Sequence, residues 1–104
     1  MPSELRLRNE VLASRPAIPG HVVYRSFVAE TVILNLNTGR YHGVDPSGGV
    51  MLELLDKLHS VEEASVGLAR HYGLPLEQAA DDLCGFCVEL ERRGLLELRS
   101  ADGD

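Results

Sequence analysis

The chain has 104 residues, 44% of them hydrophobic, which suits one domain with a single apolar core. Its 16 acidic residues outnumber 10 basic ones, and the formal net charge of −6 argues against DNA, RNA or an anionic membrane surface as the main partner. The chain has two cysteines, no apolar signal core at its start and no apolar run near the roughly 20 residues of a membrane span, so we expect a cytoplasmic protein.

The first 20 residues are interpreted as an N-terminal flank. The stretch "LRLRNEVL" alternates apolar and basic residues, which allows a short strand, and "RPAIPG" ends it with two prolines and a glycine. At the other end, residues 99–104 are polar and are predicted to be a disordered tail. The domain itself is therefore expected at residues 21–98.

Three strands are predicted in the first part of this domain. "HVVYRSFV" is rich in β-branched and aromatic residues, "TVILNL" alternates between two faces, and "RYHGV", Arg40–Val44, follows a hairpin loop in which Gly39 is free to take a positive φ. Alternation places His42 on the same face as Val44, which we expect in the core.

Three helices are predicted after the strands, because the apolar residues then recur with a helical period. The helices open in turn at Asp45, Ser60 and Pro75, and the second and third end at Gly73 and Gly94. The predicted fold is α+β, a three-stranded antiparallel sheet followed by three helices that cover its apolar face. The last strand, Arg40–Val44, then has one free edge.

The third helix carries a "CGFC" motif, Cys84–Cys87. A redox pair needs a helix N-terminus to lower a thiol pKa, but this pair falls in the middle of the helix, and a zinc site needs two further ligands. Core packing is the interpretation that the spacing favours, with redox or metal chemistry as the alternative. The apolar face predicted for this helix comprises Leu76, Ala79, Ala80, Leu83, Cys87 and Leu90, with Phe86 beside it.

The combined pattern resembles the PqqD family and its relatives, the RiPP recognition elements. "ETVILNLNTGRYHGVDPSGGVMLELL" matches the family's strand, glycine turn, aromatic residue and leucine-ended helix, while "SVEEASVGLARHYGL" and "AADDLCGFCVELERRGLLEL" resemble its second and third helices. The resemblance runs from about His21 to Leu98. Each motif is weak alone, and their order and intervals make the set more specific.

This resemblance implies a winged helix-turn-helix-like fold that binds a peptide instead of DNA. The family grips the leader segment of a ribosomally made precursor peptide as an added strand, in a groove walled by the third helix, and presents it to a processing enzyme. No catalytic residue, metal or cofactor is implied. The peptide-binding residues carried over are Arg40, Tyr41, His42, Gly43 and Val44 of the strand and Ala79, Asp82, Leu83 and Phe86 of the helix.

Two pathways are compatible with the resemblance. Stand-alone recognition proteins of lasso-peptide pathways work with a leader peptidase, whereas PqqD itself serves a radical enzyme. The long N-terminal flank and the "NTGRYHG" stretch depart from PqqD and favour the lasso-peptide type. Asp82 has two interpretations, since it either attracts a cationic leader residue or is simply solvated.

Other functions stay open at this point. A winged-helix DNA-binding regulator has a similar order of elements, but its recognition helix needs basic residues, and the third helix here is acidic until Arg92 and Arg93. A small subunit that stabilises an enzyme without touching its substrate is another hypothesis. A free strand edge can also pair with a second copy of the chain, which leaves a homodimer open.

Overall fold

A computed structural model describes residues 7–100 and gives a mixed α+β fold. A three-stranded antiparallel sheet is followed by three helices, as predicted. The elements in chain order are α1 (Arg8–Ala13), β1 (Arg15–Ala17), β2 (Val22–Ser26), β3 (Thr31–Asn35), β4 (Tyr41–Val44), α2 (Pro46–Lys57), α3 (Val61–Tyr72), α4 (Leu76–Arg92) and β5 (Glu97–Arg99).

The main sheet has the order β2-β3-β4, with both neighbouring pairs antiparallel. Gly39 has a φ of 75°, so the predicted glycine turn between β3 and β4 is confirmed. Register places Val32 opposite Gly43 and Ile33 opposite His42. His42 and Val44 therefore share the inner face, as alternation predicted.

The inner face of β3 lies at the centre of the core. Ile33 is 1% exposed and Thr31 2% exposed. Helix α2 approaches this strand closely because it carries a glycine there: a β-carbon on Gly49 would lie 2.2 Å from Thr31 Oγ1. Any larger residue at position 49 would push the helix away from the sheet.

Side-chain caps confirm two of the predicted helix starts, those of α2 and α3. The carboxylate of Asp45 accepts a hydrogen bond from the Gly48 backbone N–H at 2.9 Å, and Ser60 Oγ accepts one from the Glu63 backbone N–H at 3.0 Å. These bonds satisfy N–H groups that lack partners within the helix. Gly73 ends α3 in the left-handed conformation with a φ of 67°.

One predicted inward position of α4 is wrong. Leu76 is 54% exposed, because it stands at the start of α4, next to the exposed turn that joins this helix to α3. Tyr72, at the end of α3 beside the same turn, is 43% exposed. In α2, Leu52 is 2% exposed and packs in the core.

The strand suggested for "LRLRNEVL" is also wrong for the part that the structure describes, because residues from Arg8 onward form α1. Val11 is 1% exposed and belongs to the core, so tertiary packing outweighs the alternating pattern. Arg8 Nε lies 2.9 Å from Asp81 Oδ1, which ties α1 to α4. Residues 1–6 and 101–104, the rest of the predicted flank and tail, lie outside the described residues.

A second, two-stranded sheet closes the fold at its ends. β1 pairs antiparallel with β5, and Pro16 lies opposite Leu98. β5 runs to Arg99, one residue into the predicted tail. Within residues 7–100, no helix has the length and apolar character needed to cross a membrane.

Candidate functional site

Strand β4 lies at the edge of the main sheet. Among the residues that the structure describes, it pairs only with β3, since β1 pairs with β5 instead. The Asn35 N–H donates to the Arg40 carbonyl oxygen at 2.9 Å, which fixes the alternation of the hydrogen bonds along β4. The main-chain N–H and C=O groups of Tyr41 and Gly43 consequently point away from β3, toward the free edge.

A groove of about 230 Å³ runs beside this edge, between β4 and α4. Its volume is below the roughly 300–1,000 Å³ of small-molecule sites and suits one or two side chains of an extended chain. The residues that line it are His42, Gly43, Val44, Phe86, Glu89, Leu90, Arg93 and Leu95.

The interior of the groove is apolar. Leu90 and Leu95 are almost fully buried, while Phe86 and Val44 are half-buried against the core. Val44 was predicted to lie within the core, and the structure corrects this: part of its side chain faces the groove. An apolar side chain that enters the groove would therefore gain hydrophobic contact on both sides.

The rim of the groove is polar. Arg93 Nε donates to Glu89 Oε2 at 2.6 Å, and Arg93 Nη1 lies 3.4 Å from His42 Nδ1, so the guanidinium bridges α4 and β4. Hydrogen bonds from Arg92 and Arg93 lower the pKa of the Glu89 carboxyl. Glu89 therefore stays ionised and holds Arg93 at the mouth of the groove.

Four of the predicted binding residues lie together along this groove: His42, Gly43, Val44 and Phe86. Tyr41 contributes main-chain groups to the edge, while its side chain is 73% exposed on the outer face. Arg40 is exposed in the loop just before β4.

The other helix residues of the prediction lie elsewhere. Ala79 and Leu83 are 0% exposed, so they cannot touch a peptide in this conformation; they are core residues that support the wall. Asp82 is exposed on α4, one turn before Phe86, and does not line the groove.

Sequence reasoning missed four lining residues. Glu89, Leu90 and Arg93 follow Phe86 at intervals of three, four and seven, which places all four on one helical face. That spacing was available from the sequence. Leu95 lies after the helix ends, and only the folded chain brings it to the groove.

The "CGFC" cysteines lie in the core. Cys84 is 7% exposed and Cys87 0% exposed. Burial raises the pKa of both thiols, that of Cys87 to about 12. Both are therefore protonated at neutral pH, which favours core packing over redox chemistry. Across residues 7–100, no group of three or more potential ligands is placed to hold a metal ion.

The outer face of the main sheet is unusually apolar. An antiparallel sheet with one face on the core normally presents polar residues on the other. Here the exposed fractions are 45% for Val23, 59% for Phe27, 57% for Leu36 and 73% for Tyr41. Val23 and Phe27 share a depression on this face with Val32 and Leu34, and grouped apolar surface is typical of interaction sites.

Comparisons with known proteins agree on the family. The model of the family "Coenzyme PQQ synthesis protein D (PqqD)" matches residues 30–96. The solved structure of TbiB1 in complex with the TbiA(β) leader peptide is 31% identical, with a TM-score of 0.70, and the match covers 77% of this chain and 93% of that chain. A search of the curated proteins found no match.

Two further solved structures share the fold. A lasso peptide synthetase B1 complexed with its leader peptide is 16% identical, with a TM-score of 0.71, over 80% of this chain and 98% of that chain. The solution structure of the PqqD part of Methylobacterium extorquens PqqCD, described as a stand-alone RiPP recognition element, is 21% identical, with a TM-score of 0.66, over 79% and 87% of the respective chains. Because the model of the PqqD family matches most of this chain, the chain belongs to the PqqD family.

Proposed function

We propose that this protein binds the leader region of a ribosomally synthesised precursor peptide and presents it to a processing enzyme, in the manner of lasso-peptide biosynthesis. The observation that carries the proposal is the free edge of β4 beside the apolar groove of α4. A guest peptide would add a strand to β4, and alternate side chains would enter the groove.

The main chain supplies part of the binding energy. Tyr41 and Gly43 offer up to four hydrogen bonds at the edge, each with a net value of roughly 0.5–1.5 kcal/mol. This gain is offset by the ordering of a flexible peptide. The apolar contacts with Phe86, Leu90 and Leu95 must supply the remainder. We expect a total near roughly −8 to −9 kcal/mol, which corresponds to micromolar or sub-micromolar affinity.

The relatives support this assignment. TbiB1, the relative at 31% identity, is in complex with a leader peptide, and so is the lasso peptide synthetase B1 of the same fold. An acidic α4 supports it as well, because Glu77, Asp81 and Asp82 are exposed where a DNA-reading helix would carry basic residues. The protein is proposed to be a non-catalytic binding partner.

A peptide-binding assay tests the proposal. The labelled TbiA(β) leader peptide is titrated with this protein, and fluorescence anisotropy is compared with that of a scrambled peptide of the same composition. We expect saturable binding of the leader alone. Equal binding of both peptides, or binding of neither, would contradict the proposal, as would a preference for duplex DNA at low salt.

The oligomeric state of the free protein provides an independent check. Self-pairing through β4 would occupy the same main-chain groups of Tyr41 and Gly43 that the guest needs. Sedimentation of the protein with and without the leader peptide should therefore show a monomer that gains one peptide. A dimer that does not dissociate when peptide is added would contradict strand addition at this edge.

We further propose that the processing enzyme docks on the apolar outer face of the main sheet. A guest strand on β4 would extend this face, so an enzyme that docks on it would lie directly beside the bound leader. Leu36→Asp should leave the affinity for the leader unchanged and should slow leader removal by a lasso-pathway leader peptidase. An unchanged rate of leader removal would refute this assignment without affecting leader binding.

A further inference from the structure

The carboxylate of Glu30 occupies an uncommon position on the outer face of the sheet. Glu30 lies in the turn between β2 and β3, where its carbonyl oxygen accepts a hydrogen bond from the Phe27 N–H at 2.7 Å. A β-carbon on Gly43 would lie only 2.7 Å from Glu30 Oε1. The carboxylate therefore covers Gly43, in the place where any other residue would carry its own side chain.

This carboxylate has no counter-charge of its own. Within residues 7–100 it takes part in no hydrogen bond and no ion pair. The residue is exposed, so the carboxylate is accessible to a charged partner.

Strand geometry determines which part of a guest peptide meets Glu30. Gly43 is on the outer face of β4, so a guest residue directly opposite it in an antiparallel pair also points outward. Its β-carbon would lie about 4.5–5.5 Å from the position that a β-carbon on residue 43 would take. The guest residues on either side of it point into the groove. Because Gly43 has no side chain, nothing separates the outward guest side chain from the Glu30 carboxylate.

We propose that Glu30 selects a lysine or arginine in the guest strand, at the position opposite Gly43 and between two residues that enter the groove. This inference rests on the proposed function. It also assigns a register: a shift by one residue would turn the cation to the apolar groove side, away from Glu30. A cation at this position thus meets the Glu30 carboxylate in one register and loses it in the next.

A selection from random peptides tests the proposal, because it does not require the sequence of the natural precursor. Random linear peptides are selected on the wild-type protein and on Glu30→Lys, and sequences that still bind Gly43→Pro are discarded. The wild type should enrich peptides with Lys or Arg between two apolar residues, and Glu30→Lys should enrich Asp or Glu at that place. Identical sequences from both proteins would overturn the role of Glu30 while leaving strand addition intact.

A different result of the same selection would refute the proposed function itself. If the wild type enriches no peptide whose binding depends on the β4 edge, strand addition itself is refuted and the role of Glu30 falls with it.

A calorimetric comparison then measures the size of the effect. An enriched peptide and its Lys→Gln version are titrated into the wild type, Glu30→Gln and Glu62→Gln, the last altering an exposed carboxylate in the first turn of α3. Glu30→Gln should reduce the preference for the lysine peptide by about threefold to fivefold, as expected for an exposed ion pair, while Glu62→Gln retains it. If Glu30→Gln prefers the lysine peptide over the glutamine peptide as strongly as the wild type does, the proposal is contradicted.

Discussion

The main sheet has two edge strands, β4 and β2, and among the described residues a helix walls an apolar groove beside β4. On β4 the outward main-chain groups belong to Tyr41 and Gly43. On β2, the bond from the Leu36 N–H to the His21 carbonyl oxygen at 2.7 Å fixes the alternation. By that alternation the outward groups of β2 belong to Val22, Tyr24 and Ser26.

The surroundings of the two edges differ. Beside β4 lies the groove walled by Phe86 and Leu90, whereas β2 makes two bonds to neighbouring segments and borders a pocket on the outer face that has no helix in its lining. Tyr24 Oη donates to Asp56 Oδ2 at 2.8 Å, and the Val22 N–H donates to the Pro19 carbonyl oxygen at 3.0 Å. An unpaired edge gives hydrogen bonds that any sequence can make, so specific recognition needs side-chain pockets such as those of the groove between β4 and α4.

Removal of one outward main-chain N–H from each edge should give the largest difference in leader affinity between the two edges. Gly43→Pro removes an outward N–H from β4 without touching its bonds to β3, because proline has no N–H. We expect about tenfold to hundredfold weaker binding of the leader peptide, from the lost hydrogen bond and the steric effect of the ring. Calorimetric titration measures it.

The matched control is Ser26→Pro on β2, which should keep its affinity within about twofold despite the loss of the Ser26–Thr31 hydroxyl contact. Circular dichroism establishes that both variants are folded. The contrast between the edges is lost if Ser26→Pro weakens binding as much as Gly43→Pro does.

Truncation of the groove wall should have the next largest effect. Phe86→Ala removes the aromatic ring that faces β4, and we expect about tenfold weaker leader binding, in keeping with the loss of a central apolar contact. Leu76→Ala, on the same helix but 54% exposed and outside the groove, should bind as the wild type does. Equal losses in the two variants would indicate that the groove contributes no contact.

Removal of the hydrogen bond between Tyr24 of β2 and Asp56 of α2 should have a smaller effect, and on stability alone. Burial and the Asp56 carboxylate raise the pKa of Tyr24, so its neutral form is favoured in the folded state. This contribution is present below the ordinary tyrosine pKa of about 10 and is lost as the pH rises above it. Tyr24→Phe should lower the free energy of unfolding at pH 7 by about 0.5 kcal/mol, and by less at high pH. The affinity for the leader peptide should stay unchanged. Denaturant unfolding at both pH values tests this, and a pH-independent difference would refute it.

The smallest expected effect concerns the rim of the β4 groove. The pKa of Glu89 is lowered by Arg92 and Arg93, so its contribution to stability is present above the ordinary carboxyl pKa and is lost as the pH falls through the lowered value. The melting temperature of Glu89→Gln should be slightly below that of the wild type at pH 7, and the two melting temperatures should be equal at pH 2. A difference that grows at low pH would contradict this sign.

Local signals in the sequence predicted most of the fold, and the family resemblance supplied four of the eight residues that line the groove. Asp45, Ser60 and Gly73 mark helix ends because their roles depend on adjacent residues alone. The wall of the groove depends on how α4 crosses β4. Ala79 and Leu83 lie near the face of Phe86 and were predicted with it, yet that crossing buries both of them, so periodicity alone could not separate wall from core.

The most direct test of strand addition at β4 is a titration of the isotope-labelled protein with the TbiA(β) leader peptide, followed by backbone amide shifts. We expect large changes at Tyr41 and Gly43 and along the groove face of α4, with Tyr24 and Ser26 unchanged. Changes centred on Tyr24 and Ser26, with β4 unaffected, would contradict peptide binding at the β4 edge.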